Sequence, residues 1–333
     1  MRVSVVIPVY NAEAYVREAV ESALAQPETA EVILVEDGST DNSLAVSQEL
    51  AAAHHKVHLC RHPDGKNHGA GAARNLAIRE STCEYVAFLD ADDYYLPGRF
   101  SVARGLFAAD PSLEGVYEAV GAHFENAAAQ QRWQSLGFPE LTTMTGRVPP
   151  ERLFSALVRG GYGSFSIIGL VVRRTVFEKT GLFDERLRLH QDTDMLVKMA
   201  ALARLEAGRL AEPVARFRVH DHNRWSAARP PADVYRSKML LWATLWHWGR
   251  ENLDKERQQL LLDRLLSHVM FAPRFNRPSP HWARGLARRL QLALALLDCP
   301  ALAGERPYWR CFVPRFHWVA QVRPEPSGGD PSG

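Results

Sequence analysis

Three carboxylates fall within four residues at Asp90, Ala91, Asp92 and Asp93, directly after the apolar run Tyr85-Val86-Ala87-Phe88-Leu89. An apolar run of that length bounded by polar residues has the pattern of a buried strand. Three like charges at its end cost free energy unless a cation or hydrogen-bond donors meet them. Strand ends in open α/β sheets are where ligands bind, so something positive is expected here. Capping of the helix near Leu96 competes for Asp93, and explains that residue better than it explains all three. Asp37 poses the same question at the end of an earlier strand, ahead of Gly38-Ser39-Thr40-Asp41, where capping accounts for Asp41 more readily than for Asp37. A third polar feature, Gly69-Ala70-Gly71-Ala72-Ala73-Arg74, superficially matches a dinucleotide fingerprint. It follows the third strand rather than the first and lacks the last glycine. A helix start whose amides, with Arg74 one turn in, help place an anionic group fits better. Pairing of Arg74 with one of the strand-end carboxylates is compatible with that role.

The elements that must position these groups are β-α units. Val3-Ser4-Val5-Val6-Ile7, ending at Pro8, predicts a strand, and Ala14, Val16, Ala19, Val20 and Ala23 follow at helical spacing. Residues 31–36 predict the second strand, 42–53 a helix, 56–61 a third strand and 72–79 a helix, before the strand at 85–89. Four such repeats in the first 90 residues predict a mostly parallel sheet with helices on both faces. At 333 residues with 46% hydrophobic residues the chain holds one large or two ordinary domains with ample core. A formal net charge of +2 carries no signature of nucleic-acid binding. From residue 230 onward, 15 Lys and Arg face 9 Asp and Glu, against 25 and 29 before it, so the basic third is separate from the acidic part holding the site. Cys60, Cys83, Cys299 and Cys311 lack metal-ligand spacing and predict free thiols. The N-terminus runs straight into a strand and no apolar stretch reaches about 18 residues, so a cytoplasmic location is expected.

Val5-Val6-Ile7-Pro8-Val9-Tyr10-Asn11, Glu36-Asp37-Gly38-Ser39-Thr40-Asp41, Gly71-Ala72-Ala73-Arg74-Asn75 and Asp90-Ala91-Asp92-Asp93, in that order, resemble the motifs of family 2 glycosyltransferases. The resemblance implies the GT-A fold, an inverting transferase, a nucleotide-sugar donor, most simply a UDP-sugar, and a divalent metal, Mn²⁺ or Mg²⁺. Carried across by residue, it implies that Pro8, Tyr10 and Asn11 line the nucleoside pocket and that Asp37 hydrogen-bonds the base. Arg74 lies near base or phosphates, Asp90 and Ala91 on the ribose side, and Asp92 ligates the metal. A hard cation takes carboxylate and diphosphate oxygens together and neutralises the charge growing on the leaving group. Farther on, Gly181-Leu182-Phe183-Asp184-Glu185 and His190-Gln191-Asp192-Thr193-Asp194 also resemble the family, with Gln191 where the family has Glu. Asp192 then matches the general base that an inverting transfer needs, at a helix start that favours an ionised acid. Asp194 reads as a plain helix-start acid. Phe217-Arg218-Val219-His220 resembles a Tyr-Arg-x-His segment, which implies His220 near metal or diphosphate and Ser226 near a closing loop.

The segment 115–120 predicts one strand that 122–126 may prolong or follow, and 130–150 has little periodicity and predicts an irregular acceptor-side insert. Within it Trp133 either stacks on a sugar or packs in a local cluster. Further helices are predicted at 151–159, 173–180 and 190–203, and a strand at 164–172. The resemblance fits a catalytic domain over 1–229 and does not cover the rest, where the sequence pattern predicts a helical extension over 230–323 and a disordered tail over 324–333. Helices are predicted at 233–251, 254–271 and 281–298, six of the eight Trp lie from Trp242 onward, and Arg284, Arg288 and Arg289 give the third helix a basic face. Such a region serves either for packing, as an annex or a dimer face, or for peripheral membrane contact, with packing the commoner use. The acceptor expected is a growing surface glycan or a lipid-linked sugar. A nucleotidyltransferase of similar sheet architecture and a non-catalytic sugar-nucleotide binder are the alternatives.

Overall fold

In a computed structural model of the chain, residues 1–220, 223 and 231–270 and short stretches at 292–293, 295–296, 299–305 and 308–309 are described. Two compact units divide it, one of residues 1–154 and 163–227, the other of 155–162 and 228–333.

The first unit opens with β1 (Val3–Val9), α1 (Val16–Leu24), β2 (Thr29–Glu36), α2 (Ser43–Ala53), β3 (Val57–Arg61), α3 (Ala70–Glu80) and β4 (Tyr85–Phe88). It continues with β5 (Tyr94–Tyr95), α4 (Ser101–Ala109), β6 (Gly115–Tyr117), β7 (Val120–Phe124), α5 (Ala127–Ser135), β8 (Leu141–Thr142) and α6 (Pro150–Arg159), whose second half belongs to the other unit. After a 3₁₀ turn at Ile167–Gly169 come β9 (Leu170–Arg173), α7 (Val176–Thr180), α8 (Gln191–Leu202), β10 (Leu205–Ala207) and β11 (Ala215–Val219). A seven-stranded sheet runs β10-β6-β9-β4-β1-β2-β3, parallel except for β9, which pairs antiparallel with β4 and β6. Its central strands are apolar on both faces, as helices on both sides require: Val3, Val5, Val6, Ile7, Val32, Ile33, Leu34, Val35, Val86, Ala87 and Phe88 are all inaccessible to solvent. Helix α1 buries Val16, Ala19, Val20 and Ala23, whereas Ala14, expected on the same face, precedes the helix and is exposed.

Strand order reverses at β1, between β2 and β4, so the carboxyl ends of β1, β2 and β4 open into one crevice. That crevice receives Tyr10 and Asn11, Asp37, and Asp90 to Asp93.

The single strand expected over 115–120 is two, in different sheets. β6 stays in the large sheet, while β7 joins a four-stranded sheet of order β5-β11-β7-β8. The crossover is fixed at Glu118, buried between the guanidinium of Arg99 (3.1 Å) and the amide of Arg209 (3.2 Å). A Cβ at Gly169 would lie 2.3 Å from the Glu118 carbonyl oxygen, so only glycine lets the chain turn out here. The strand expected over 164–172 is likewise a 3₁₀ turn followed by β9.

The expected irregular insert also contains order. Asn126 caps α5, its side-chain oxygen accepting from the Ala129 amide at 2.8 Å. This helix buries only Ala129 and Trp133, one turn apart, which left no periodicity to detect. Trp133 is 7% exposed, lies against Phe124, Phe138 and Phe217, and donates its indole N–H to the Pro139 carbonyl. A ring so enclosed offers no open face to a sugar; local packing is the role the structure gives it. Trp133→Ala should cost about 3–5 kcal/mol of stability, read by chemical denaturation, with donor affinity unchanged in the folded fraction.

The second unit contains α9 (Pro231–Asn252), α10 (Lys255–Met270) and a 3₁₀ turn at Pro300–Gly304. On α9, Met239, Trp242, Leu245 and Trp246 are buried; on α10, Leu261, Leu262, Leu265, Leu266 and Val269 are buried, and Tyr235 stacks on His268. The tryptophan stripe of α9 is therefore packed. The third helix with Arg284, Arg288 and Arg289, Ser226, Cys311 and the tail fall outside the described residues, apart from fragments at 292–296. Cys60 and Cys83 are free thiols, and Cys299 Sγ lies 3.5 Å from His247 Nε2. No helix among the described residues is long and apolar enough to cross a membrane.

Candidate active site

Each of the three crowded carboxylates has a different partner, which is how the like charges coexist. Asp90 accepts from Arg74 at 2.5 Å. Asp93 is buried, and one oxygen accepts from the Arg218 amide at 2.8 Å while the other has no partner among the described residues. Burial, then the charges of Asp92 and Asp90, push its carboxyl well above the usual range. Asp93 therefore supports the turn into β5. Asp92 is a third exposed, with His220 Nε2 3.2 Å and Asn223 Nδ2 3.5 Å from its Oδ2. Asp90 is about as exposed, but among the described residues Asp92 is the one of these two with no arginine on its carboxylate, and Ala91 between them is buried.

Arg74, 2% exposed, joins the two halves of the site. One Nη reaches Asp90 and the other donates to Asp192 Oδ1 at 2.7 Å, and the guanidinium lies over the Phe183 ring. Burial works against its charge, but the carboxylates of Asp192 and Asp90 outweigh that and hold its proton more firmly than in free arginine. Asp192, on the first turn of α8, keeps 41% of its side chain exposed. Both arms of the expected Arg74 pairing are thus filled at once, by carboxylates from β4 and α8.

Helix α3 docks the α8 approach a second time through Asn75. Its side-chain oxygen accepts from the Phe183 amide (2.8 Å) and its amide group donates to the Phe183 carbonyl (2.9 Å). The glycines at the start of α3 serve the same contact: a Cβ on Gly71 would lie 2.6 Å from Gln191 Oε1, and one on Gly69, whose φ is +93°, 2.6 Å from an Arg188 nitrogen. Gln191 is buried there. Asn75 stood within a quoted motif without a role, because nothing in the sequence says which distant backbone it grips. Asp194 is no plain helix-start acid: it is fully buried and pairs with Lys198 at 2.6 Å, one turn on.

The residues expected to line the nucleoside gather at the β1 and β2 ends. Pro8 is part of β1, and Tyr10 beyond it is half exposed. Asn11, at φ +49°, accepts from the Thr40 amide (2.8 Å) and donates its own amide to Ser39 Oγ, tying the β1 end to the β2 turn. Asp41 accepts from the amides of Ser43 and Glu13. Asp37 is buried, and its two oxygens accept from the amides of His68 (2.8 Å) and Gly69 (2.7 Å). Its visible work is to fasten the loop before α3 to the β2 end.

A divalent ion was expected at Asp92 and His220. Their facing atoms, 3.2 Å apart, stand at about the spacing of neighbouring ligands on a six-coordinate ion with bonds of about 2.1 Å. No cluster of three or more His, Cys, Asp or Glu able to hold an ion occurs among the described residues. An ion held by this pair would need further donors from elsewhere, such as diphosphate oxygens and water.

The model of the family described as Glycosyl transferase family 2 matches residues 4–148. A glycosyltransferase of Rickettsia typhi, RT0329, is 27% identical over 310 residues, covering 91% of this chain and 86% of that protein. The succinoglycan biosynthesis protein ExoU of Rhizobium meliloti is 31% identical over 201 residues, covering 60% of this chain and 57% of its own length. Among solved structures, residues 1–349 of S. aureus TarS in complex with UDP-GlcNAc superpose with a TM-score of 0.63 at 21% identity, covering 90% of this chain and 80% of that one. The matched motifs, the sheet that reverses at β1 and the crevice at its strand ends agree on one assignment: residues 4–148 form a family 2 glycosyltransferase domain, and the sheet has the GT-A fold.

Proposed function

We propose that the protein moves a sugar from a UDP-sugar to a hydroxyl of a growing glycan or lipid-linked acceptor, with inversion at the anomeric carbon. The observation that carries this reading is the Arg74 bridge, which holds the strand-end Asp90 and the α8 carboxylate Asp192 on one guanidinium. Two acids separated by a hundred residues are thereby set at one crevice, as displacement with a leaving group on one side and a nucleophile on the other requires. Asp192 is the general base: its half-open carboxylate takes the proton of the attacking hydroxyl as the glycosidic bond forms. Asp90 is oriented toward the ribose side by Arg74, and Pro8, Tyr10, Asn11 and Asp37 shape the nucleoside end. Asp92 and His220 would hold Mn²⁺ or Mg²⁺, which when bound offsets the negative charge of the departing diphosphate. The UDP-GlcNAc complex of the structural neighbour and the glycan-biosynthetic name of ExoU support the donor and acceptor classes.

The test is a panel of nucleotide sugars screened by thermal shift with and without Mn²⁺. A UDP-sugar should stabilise the protein, more so with the ion, and Asp92→Ala should remove the metal-dependent part while leaving the unliganded midpoint within about 2 °C. Because two side chains alone make a poor ion site, Mn²⁺ without nucleotide should stabilise little. A panel silent with every donor would overturn the reading.

A further inference from the structure

Tyr15 has no place in the roles given above, yet its ring touches the two groups that flank Asp92. It stacks on the His220 imidazole, with centroids 5.0 Å apart and planes inclined by 30°, and the Arg218 guanidinium lies over it at 5.1 Å. Arg218 is 9% exposed, and besides the contacts that follow one Nη lies 4.0 Å from the Glu125 carboxylate. Its amide holds Asp93 Oδ1 at 2.8 Å, its Nε donates to the Asp92 carbonyl at 2.9 Å, and one Nη reaches Glu18 on α1 at 2.5 Å. Tyr94 takes the same guanidinium at 5.4 Å. The imidazole two residues on is fixed from its backbone as well, the His220 amide donating to Asn223 Oδ1 at 2.6 Å.

Arg218 thus grips the backbone of the acid-bearing turn, and Tyr15 sets the ring whose Nε2 faces the Asp92 carboxylate. We propose that Tyr15 and Arg218 are positioning residues for the Asp92–His220 pair, a bracket from α1 and β11 that holds two ligands of a divalent cation at coordinating distance before the ion arrives. An arginine with two tyrosine rings close to its guanidinium and its hydrogen bonds made to a carbonyl and a carboxylate is held in one geometry, since its planar fork is already committed. Partners that orient metal ligands typically change ion affinity by about 10–100-fold when removed. The Tyr15 hydroxyl bonds Glu125 rather than either member of the Asp92–His220 pair, so the stacked ring carries its contribution here.

This inference rests on the metal-dependent reading above, and the experiment separates the two. Mn²⁺ binding is titrated by electron paramagnetic resonance in the presence of saturating UDP for the wild-type chain and for Tyr15→Phe, Tyr15→Leu and Arg218→Lys, with UDP affinity measured separately in EDTA. Tyr15→Phe should bind Mn²⁺ within about twofold of wild type, whereas Tyr15→Leu and Arg218→Lys should bind it about tenfold more weakly. UDP affinity in EDTA and the circular-dichroism spectrum should be unchanged in all four. Equal Mn²⁺ affinity in Tyr15→Leu and wild type would overturn the bracket while leaving the transferase reading intact. A loss in Tyr15→Leu matched by an equal loss of UDP affinity in EDTA would also overturn it, since the effect would then be general to the fold. Failure of the wild type to bind Mn²⁺ with UDP would overturn both the bracket and the metal-dependent reading.

Discussion

Asp192→Asn should lower kcat about a thousandfold while the affinity for the nucleotide-sugar donor stays within about twofold. Proton removal by a positioned base contributes roughly 10²–10⁴ in rate, and the amide keeps the size of the side chain while losing the basicity. Donor binding should survive because the groups expected to touch it, at the ends of β1, β2 and β4, lie on other elements. The substitution also weakens one arm of the Arg74 bridge. The arginine retains Asp90 at 2.5 Å, so the crevice should keep its shape. Steady-state transfer and isothermal titration with UDP on the same preparation provide the check. A variant with wild-type turnover would remove Asp192 from the chemistry, and a variant that loses donor affinity along with kcat would make it a structural member of the site.

The parts of this fold that could be foreseen are those in which local pattern and tertiary demand coincide. Val3–Val9 and Tyr85–Phe88 are apolar on both faces because helices cover both, so a continuous apolar run means the same thing in the sequence as in the sheet. The acids at the end of β4 and the Gly-rich start of α3 were legible because such residues are costly without a reason. The sheet change at Glu118 was not legible, since it depends on Arg99 and Arg209, which are remote in sequence and reach the carboxylate only after folding. Trp133 illustrates another limit. An aromatic in a polar segment signals a binding platform and a small satellite core equally, and the choice is made by Phe124, Phe138 and Phe217 from three separate stretches. Asp37 and Asp92 were both visible as strand-end acids, yet one spends its oxygens on the amides of His68 and Gly69 while the other keeps its charge toward solvent. Burial and partner geometry distinguish them, and neither has a local signature. Tyr15 gave no signal at all, because a tyrosine ahead of a helix is common and its partners lie two hundred residues away.

Arg74→Met should be the most damaging single change to the site, costing about 3 kcal/mol of stability and leaving transfer near background. The arginine is buried, so methionine fills much of its volume over Phe183 and the loss is chiefly electrostatic. Breaking a fully buried ion pair by removing one partner costs about 3–5 kcal/mol. Here the lower end applies, because Asp90 and Asp192 keep 34% and 41% of their side chains in contact with water and can be solvated in part once the cation is gone. The two carboxylates would then repel each other across the crevice and separate. That predicts a result no single-acid variant gives: in Arg74→Met, adding Asp90→Asn should recover stability, since it removes one of two uncompensated charges. In wild-type background the same Asp90→Asn substitution should destabilise, since it removes a favourable partner of Arg74. The sign of the coupling in this double-mutant cycle, measured by urea denaturation, identifies the bridge as a three-charge unit. Arg74→Lys is the complementary probe. An ammonium on a flexible stem can meet one carboxylate but does not present a planar fork to two, so it should restore more of the stability than of the transfer rate. Recovery of both together would mean that Arg74 supplies charge alone, and that the joint placement of Asp90 and Asp192 does not depend on its geometry.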